Sequence, residues 1–115
     1  MSAALAALAL CLNPQVHDGD SIRCGAERVR IVNIDAPELE GSPKCQDRRG
    51  AAAWCDFAAG EKARIALADL VQRGPVKIQR QGLDQYGRTL ARVVVNGRDM
   101  GEALIARGLA KRWGR

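Results

Sequence analysis

The sequence predicts an α+β domain that is mainly β, and three observations carry that prediction. Short β-branched runs recur at residues 21–24, 28–34, 76–81 and 89–95. A helical pattern precedes the last two runs and stops at Gly74-Pro75. Asn96-Gly97, the strongest short hairpin signal, follows the most strand-like run. The count is four or five short strands, one helix in mid-chain and a second near the end. A five-stranded OB-fold barrel with two helices is the natural architecture for that order, and its open face commonly binds oligonucleotides.

At 115 residues the chain can form one domain with one modest core. With one Phe, one Tyr and two Trp, that core must be built of Ala, Val, Ile and Leu. A formal net charge of +5 points to an anionic partner, of which nucleic acid is the commonest; the plainer reading is solubility.

Residues 1–14 form an apolar, alanine-rich N-terminal segment, and residues 15–115 the domain proper. Residues 2–12 are too few to span a bilayer, so no stable membrane insertion is expected. They read either as the remnant of an export signal or as a first short strand or helix. Asn13-Pro14 breaks the segment, and Asp18-Gly19-Asp20 forms a turn. The runs at 21–24 and 28–34 are joined so closely that they should form an antiparallel hairpin, bringing Asp20 near Asp35.

Residues 40–50 read as a polar loop with a basic pair, Arg48-Arg49. The mid-chain helix should run from Ala51 or Asp56 to Gln72, with Phe57, Ala63, Leu67, Leu70 and Val71 at near-helical spacing. Gly74 is read as its left-handed end. Asp99 can cap a second helix from about Met100 to Arg107, ended by Gly108. In the basic tail, Trp113 should cover the core edge or stack on a base.

Four cysteines, Cys11, Cys24, Cys45 and Cys55, show no Cys-x-x-Cys spacing, and His17 is the only histidine. A zinc site would need an unusual ligand set. Two disulfides are expected, Cys11 with Cys24 and Cys45 with Cys55, which favours a secreted or periplasmic protein. The alternative is four free thiols in the cytoplasm.

The stretch at 29–38, Val-Arg-Ile-Val-Asn-Ile-Asp-Ala-Pro-Glu, organises the chain. It carries a cation, Arg30, and two carboxylates, Asp35 and Glu38, on one buried strand and the loop after it. Pro37 has no N–H for a sheet ladder and ends the strand. In a straight strand Arg30 and Asp35 face opposite sides, so they can share a site only if the strand bends. Asp20 and Asp35, converging across the hairpin, are candidate ligands for a hard cation.

These residues bear a family likeness. Asp18-Gly19-Asp20-Ser21, then Arg30 to Glu38, then Asp84-Gln85-Tyr86-Gly87-Arg88, then the run 102–111 together resemble the thermonucleases, the staphylococcal nuclease-like domains. The likeness covers roughly residues 15–112. It implies that Asp20, Asp35 and the backbone carbonyl of Ala36 hold one Ca²⁺. It implies that Glu38 orients or deprotonates the attacking water, and that Arg30 and Arg88 grip the scissile phosphate. The implied activity is hydrolysis of DNA, and of RNA too, single- or double-stranded, with low sequence specificity. The implied products carry a 3′-phosphate and a 5′-hydroxyl, and a monomer is expected. The residue types suit that chemistry, because a cation and two guanidinium forks can stabilise charge on the non-bridging oxygens. Ala36 and Ser21 stand where the family often has threonine, Gln85 where lysine is common, and the family's third helix is missing. The alternative is a catalytically silent nuclease-like domain that binds nucleic acid or protein. A plain oligonucleotide-binding barrel would carry more aromatic platforms.

Overall fold

In the computed structural model, which describes residues 7–46 and 53–113, nine strands are found, seven of them in one curled mixed sheet. They are β1 (Ala9–Leu10), β2 (Pro14–Asp18), β3 (Ser21–Cys24), β4 (Glu27–Ile31), β5 (Ile34–Asp35), β6 (Val76–Leu83), β7 (Thr89–Val95), β8 (Arg98–Asp99) and β9 (Lys111–Arg112). The order across the sheet is β1-β6-β7-β4-β3-β2, with β8 on the edge of β7 and β5 paired to β9 apart from it. The five longest strands, β2, β3, β4, β7 and β6, curl into a half-barrel consistent with the five-stranded OB-fold that the sequence predicts. All pairings are antiparallel except β4 with β7.

Two strand assignments differ from the sequence reading. Residues 14–18, read as a lead-in to a turn, form β2 opposite β3. Pro14 is tolerated there because it opens a strand at the sheet edge, where one N–H is dispensable. The run at 28–34 is not continuous: β4 ends at Ile31, the chain turns at Val32 and Asn33, and β5 begins at Ile34. This is the bend that the Arg30–Asp35 parity requires. The Asn33 amide holds it by donating to Asp99 Oδ1 and Glu102 Oε2, both at 3.3 Å, and the Trp113 N–H donates to the Asn33 carbonyl at 2.9 Å.

Three helices are present among the described residues, and two of them, α2 and α3, pack against the sheet. A single turn, α1 (Pro43–Gln46), occupies part of the predicted polar loop. The main helix, α2 (Phe57–Val71), starts where the Asp56 carboxylate accepts from the Ala59 N–H at 3.1 Å, an N-cap that satisfies an otherwise orphaned donor. Ala63, Leu67, Leu70 and Val71 are buried as expected, but Phe57, in the first turn, is exposed. Gly74 does not adopt the left-handed conformation predicted for it. Its missing side chain instead admits Asn96, whose Oδ1 would lie 2.4 Å from a Cβ there. Asn96 and Gly97 do take positive φ, 52° and 77°, and turn β7 into the short β8. Asp99 caps α3 (Met100–Ala106) by accepting from the Glu102 N–H at 2.9 Å.

The core lies between the concave face of the sheet and helices α2 and α3. Ile22, Val29, Ile31, Ile34, Leu67, Ile78, Val93, Met100 and Leu104 are almost completely buried, and no aromatic side chain joins them. Trp113 does not cover the core edge; it is 58% exposed. Both expected disulfides are present, Cys11–Cys24 with Cα atoms 5.0 Å apart and Cys45–Cys55 at 5.8 Å. The first ties the segment after β1 to the end of β3, and the second ties α1 to the residues just before α2. Residues 1–6 and Arg48-Arg49 lie outside the described residues, as does the early helix start at Ala51. No helix among the described residues is long and apolar enough to cross a membrane.

Candidate active site

The bend between β2 and β3 builds one wall of the site. The Asp18 carboxylate accepts from the Asp20 N–H at 3.1 Å and from Ser21 Oγ at 2.6 Å, which folds residues 18–20 tightly. Gly19 lies at the tip, where a Cβ would come within 2.7 Å of the Cβ atoms of both Ala36 and Ala63. Only glycine lets this bend press against α2 and the chain beyond β5. Asp20 is thereby turned inward, 8% exposed, and its Oδ2 accepts from the Ala36 N–H at 3.0 Å.

The bend between β4 and β5 builds the other wall. Arg30 Nη1 donates to the carbonyls of Ile31 and Ile34, the latter at 2.8 Å, so the guanidinium clamps the bend from inside. Its Nη2 lies 3.6 Å from Asp20 Oδ2 and 3.9 Å from Asp35 Oδ1. Two carboxylates, one from the β2–β3 bend and one from β5, therefore converge on one guanidinium nitrogen. Burial, reinforced by the Asp18 carboxylate, pushes the Asp20 carboxyl up to about 7, against the opposing pull of Arg30 and the Ala36 N–H.

Asp20, Arg30, Asp35 and Ala36 are thus brought together, whereas Glu38 and Arg88 flank them. Glu38 lies in an adjoining groove of about 270 Å³ that it shares with His17, Asp18 and Ser42. Its Oε1 accepts from Ser42 Oγ at 2.7 Å, and its N–H donates to the Trp54 carbonyl at 2.7 Å. Among the described residues its Oε2 takes no hydrogen bond. Gly60 of α2 lies directly beneath: a Cβ there would come within 2.2 Å of the Glu38 carbonyl oxygen.

Arg88 stands at the end of the β6–β7 loop, lining a pocket with Ser21, Arg23 and Arg28. Its Nε donates to Asp84 Oδ2 at 2.7 Å, its guanidinium lies 5.7 Å from the Tyr86 ring centroid, and its N–H donates to Asp84 Oδ1 at 2.9 Å. Asp84 engages only the inner nitrogen, so the terminal fork remains available for bidentate contact with a phosphate. Asp84 also accepts from the Tyr86 N–H, which shapes the loop.

The donor set suits a hard cation and no soft one. Asp20 and Asp35 offer carboxylate oxygens, Ala36 a carbonyl, and all four cysteines are consumed in disulfides. Among the described residues no three His, Cys, Asp or Glu side chains gather as a metal cluster. The chain would therefore fill only part of a shell of about six to eight oxygens, leaving water and substrate oxygens to complete it, as Ca²⁺ accepts.

Sequence reasoning missed the supports of this site. Ser42 and Gly60 carry no motif; one is a lone serine in a polar loop, and the other looks like a weak point in a helix. Asp84 stands in the sequence only as part of the family motif, and its spacing of four from Arg88 is the signal that could have shown it orienting that arginine.

Residues 28–114 match the model of the family described as staphylococcal nuclease homologue. An uncharacterized endonuclease of Haemophilus influenzae is 31% identical to the chain over 105 residues, covering 87% of it and 50% of the relative. Protein ParB of Escherichia coli is 36% identical over 109 residues, covering 84% of the chain and 52% of the relative. Micrococcal nuclease of Shigella flexneri is 35% identical over 80 residues, covering 66% of the chain and 37% of the relative. The chain thus spans about half the length of the first two proteins. With the family match extending over most of the chain and Asp20, Arg30 and Asp35 gathered on a half-barrel, the chain belongs to the staphylococcal nuclease homologue family.

Proposed function

We propose that the chain is a Ca²⁺-dependent nuclease that hydrolyses phosphodiester bonds of DNA, and of RNA, with low sequence specificity. The observation that carries this reading is the convergence of Asp20 and Asp35 on Arg30 Nη2 at a rigid strand bend. The names of the Haemophilus and Shigella relatives point the same way.

Asp20, Asp35 and the Ala36 carbonyl would hold the ion. When bound, Ca²⁺ supplies positive charge beside the non-bridging phosphate oxygens. Arg88 presents its terminal fork to the scissile phosphate, aimed by Asp84. Arg30 fixes the strand bend and sets a second positive charge against the same phosphate. Glu38, with Oε1 fixed by Ser42, turns Oε2 to the attacking water and orients it or accepts its proton. Attack at phosphorus leaves a 3′-phosphate and a 5′-hydroxyl. No side chain reads a base edge in this scheme, which accounts for low sequence specificity.

Two disulfides in a short chain suit an oxidising compartment, and we place the protein outside the cytosol. Digestion of single-stranded DNA with Ca²⁺ and with chelator tests the function. Cleavage confined to the Ca²⁺ arm is the expected result, and equal cleavage in both arms overturns the metal assignment.

A further inference from the structure

We propose that Arg23 and Arg28, with His17 beside them, form a second phosphate subsite that takes the phosphate next to the scissile one on the same strand. This inference rests on the nuclease reading above.

The β3–β4 register sets Ser21 opposite Arg30 and Arg23 opposite Arg28. Val29 and Ile31 are completely buried, so Arg28 and Arg30 share the opposite face of β4, Arg28 exposed and Arg30 largely enclosed, with Arg23 across from Arg28. Like charges directly opposite across strands repel, so this pair costs the bare sheet stability. Neighbouring arginines are neutralised: Arg80 holds Glu27 and Arg88 holds Asp84. Among the described residues Arg23 and Arg28 have no carboxylate partner. Arg28 donates only to the Tyr86 carbonyl, a bond that fixes the guanidinium and leaves its remaining nitrogens open. An anion between the two arginines relieves the repulsion and uses those donors.

The space for it exists. A pocket of about 300 Å³ is lined by His17, Arg23, Arg28 and Arg88 over a floor that includes Ile22 and Val29. Arg88, placed above on the scissile phosphate, belongs to both, so the pocket continues from the site. Arg28 and Arg30 alternate along β4, about 7 Å apart, a separation that suits successive phosphates of an extended single strand. A polynucleotide lying along β4 would thus place one phosphate by Arg30 and Arg88 and the next by Arg28 and Arg23.

Arg23→Gln is the decisive variant, because Arg23 is exposed and touches none of the catalytic groups. Binding of a short fluorescent oligothymidylate is measured in chelator as salt rises, and hydrolysis with Ca²⁺ is measured on a dinucleotide and a tetranucleotide. For Arg23→Gln the slope of log affinity against log salt should shrink by about 0.7, the loss of one single-strand phosphate contact. KM for the tetranucleotide should rise about tenfold with kcat unchanged, while the single-phosphate dinucleotide is unaffected. Arg23→Lys should restore most of the loss. An unchanged slope, or equal losses on both substrates, overturns the subsite and leaves the nuclease reading standing. A reduced slope in a protein whose wild type cleaves neither substrate sinks the nuclease reading and supports the subsite.

Discussion

Replacing Gly60 by alanine should damage activity far more than stability. The added Cβ would lie 2.2 Å from the Glu38 carbonyl oxygen, 2.9 Å from its carbon and 3.1 Å from the Pro37 carbonyl oxygen. Ordinary contact begins near 3.4 Å, and every one of these atoms is backbone. The segment carrying Glu38 must therefore retreat by about 1 Å, since a close-packed interior offers nowhere else to move. Two stability effects oppose each other. Alanine in a helix gains about 1 kcal/mol over glycine, and overpacking costs about 1–3 kcal/mol. The net loss is about 0–2 kcal/mol, a fall in Tm of at most about 10 °C. Catalysis has no such offset: a shift of about 1 Å in a reacting group costs about 10²-fold. The assay pairs a thermal melt with kcat on single-stranded DNA, and adds amide exchange at Glu38, whose N–H donates to the Trp54 carbonyl. The variant should melt within that window, lose about 10²-fold in kcat and exchange faster at Glu38. A variant with wild-type kcat and wild-type exchange would refute the claim that Gly60 sets the position of Glu38.

Other outcomes follow from named contacts. Glu38→Gln should lower kcat by at least about 10²-fold with an unchanged melt; near-normal turnover in a folded variant removes the residue from the chemistry. Ser42→Ala frees the Glu38 side chain and should cost about tenfold in kcat, with rescue by Ser42→Thr as the check. Hydrogen bonds from Arg80 and Thr89 hold the Glu27 carboxyl down at about 2. Its folded value lies below its unfolded one, so its contribution is present above about pH 4.5 and is lost as pH falls toward 2. Glu27 is partly exposed, which trims the effect to about 1 kcal/mol. Urea melts should show Glu27→Gln less stable than wild type at neutral pH, with the gap closing near pH 2; a constant gap contradicts this. Removing either disulfide by paired Cys→Ser changes should cost about 2–3 kcal/mol, and four alkylatable thiols in protein made in an oxidising compartment would contradict both pairings.

Much of this fold was legible because local signals and tertiary demands agree. Asp56, Asp99 and Asn96-Gly97 act through short-range geometry, and each does what its residue type predicts. The half-barrel followed from the strand count and the position of α2. The bend at Val32-Asn33 could be required but not located, because a run of β-branched residues hides a break that distant partners impose: Asn33 is held by Asp99 and Glu102, far along the chain. The same limit applies to Gly74, whose role is to admit Asn96. The structure brings Asp20, Arg30 and Asp35 together, and at the site the charged residues were readable as a set only through the family likeness. Their supports were not, because Ser42, Gly60 and the cross-strand register of Arg23 with Arg28 acquire meaning only once the chain is folded.

End-group analysis of cleaved single-stranded DNA, with wild type and Glu38→Gln assayed side by side in Ca²⁺ and in chelator, tests the central claim most directly. The account predicts fragments with 3′-phosphate and 5′-hydroxyl ends from wild type in Ca²⁺, and almost none from the variant or in chelator. Wild-type protein that leaves DNA intact in Ca²⁺, or that cleaves equally well in chelator, would contradict it.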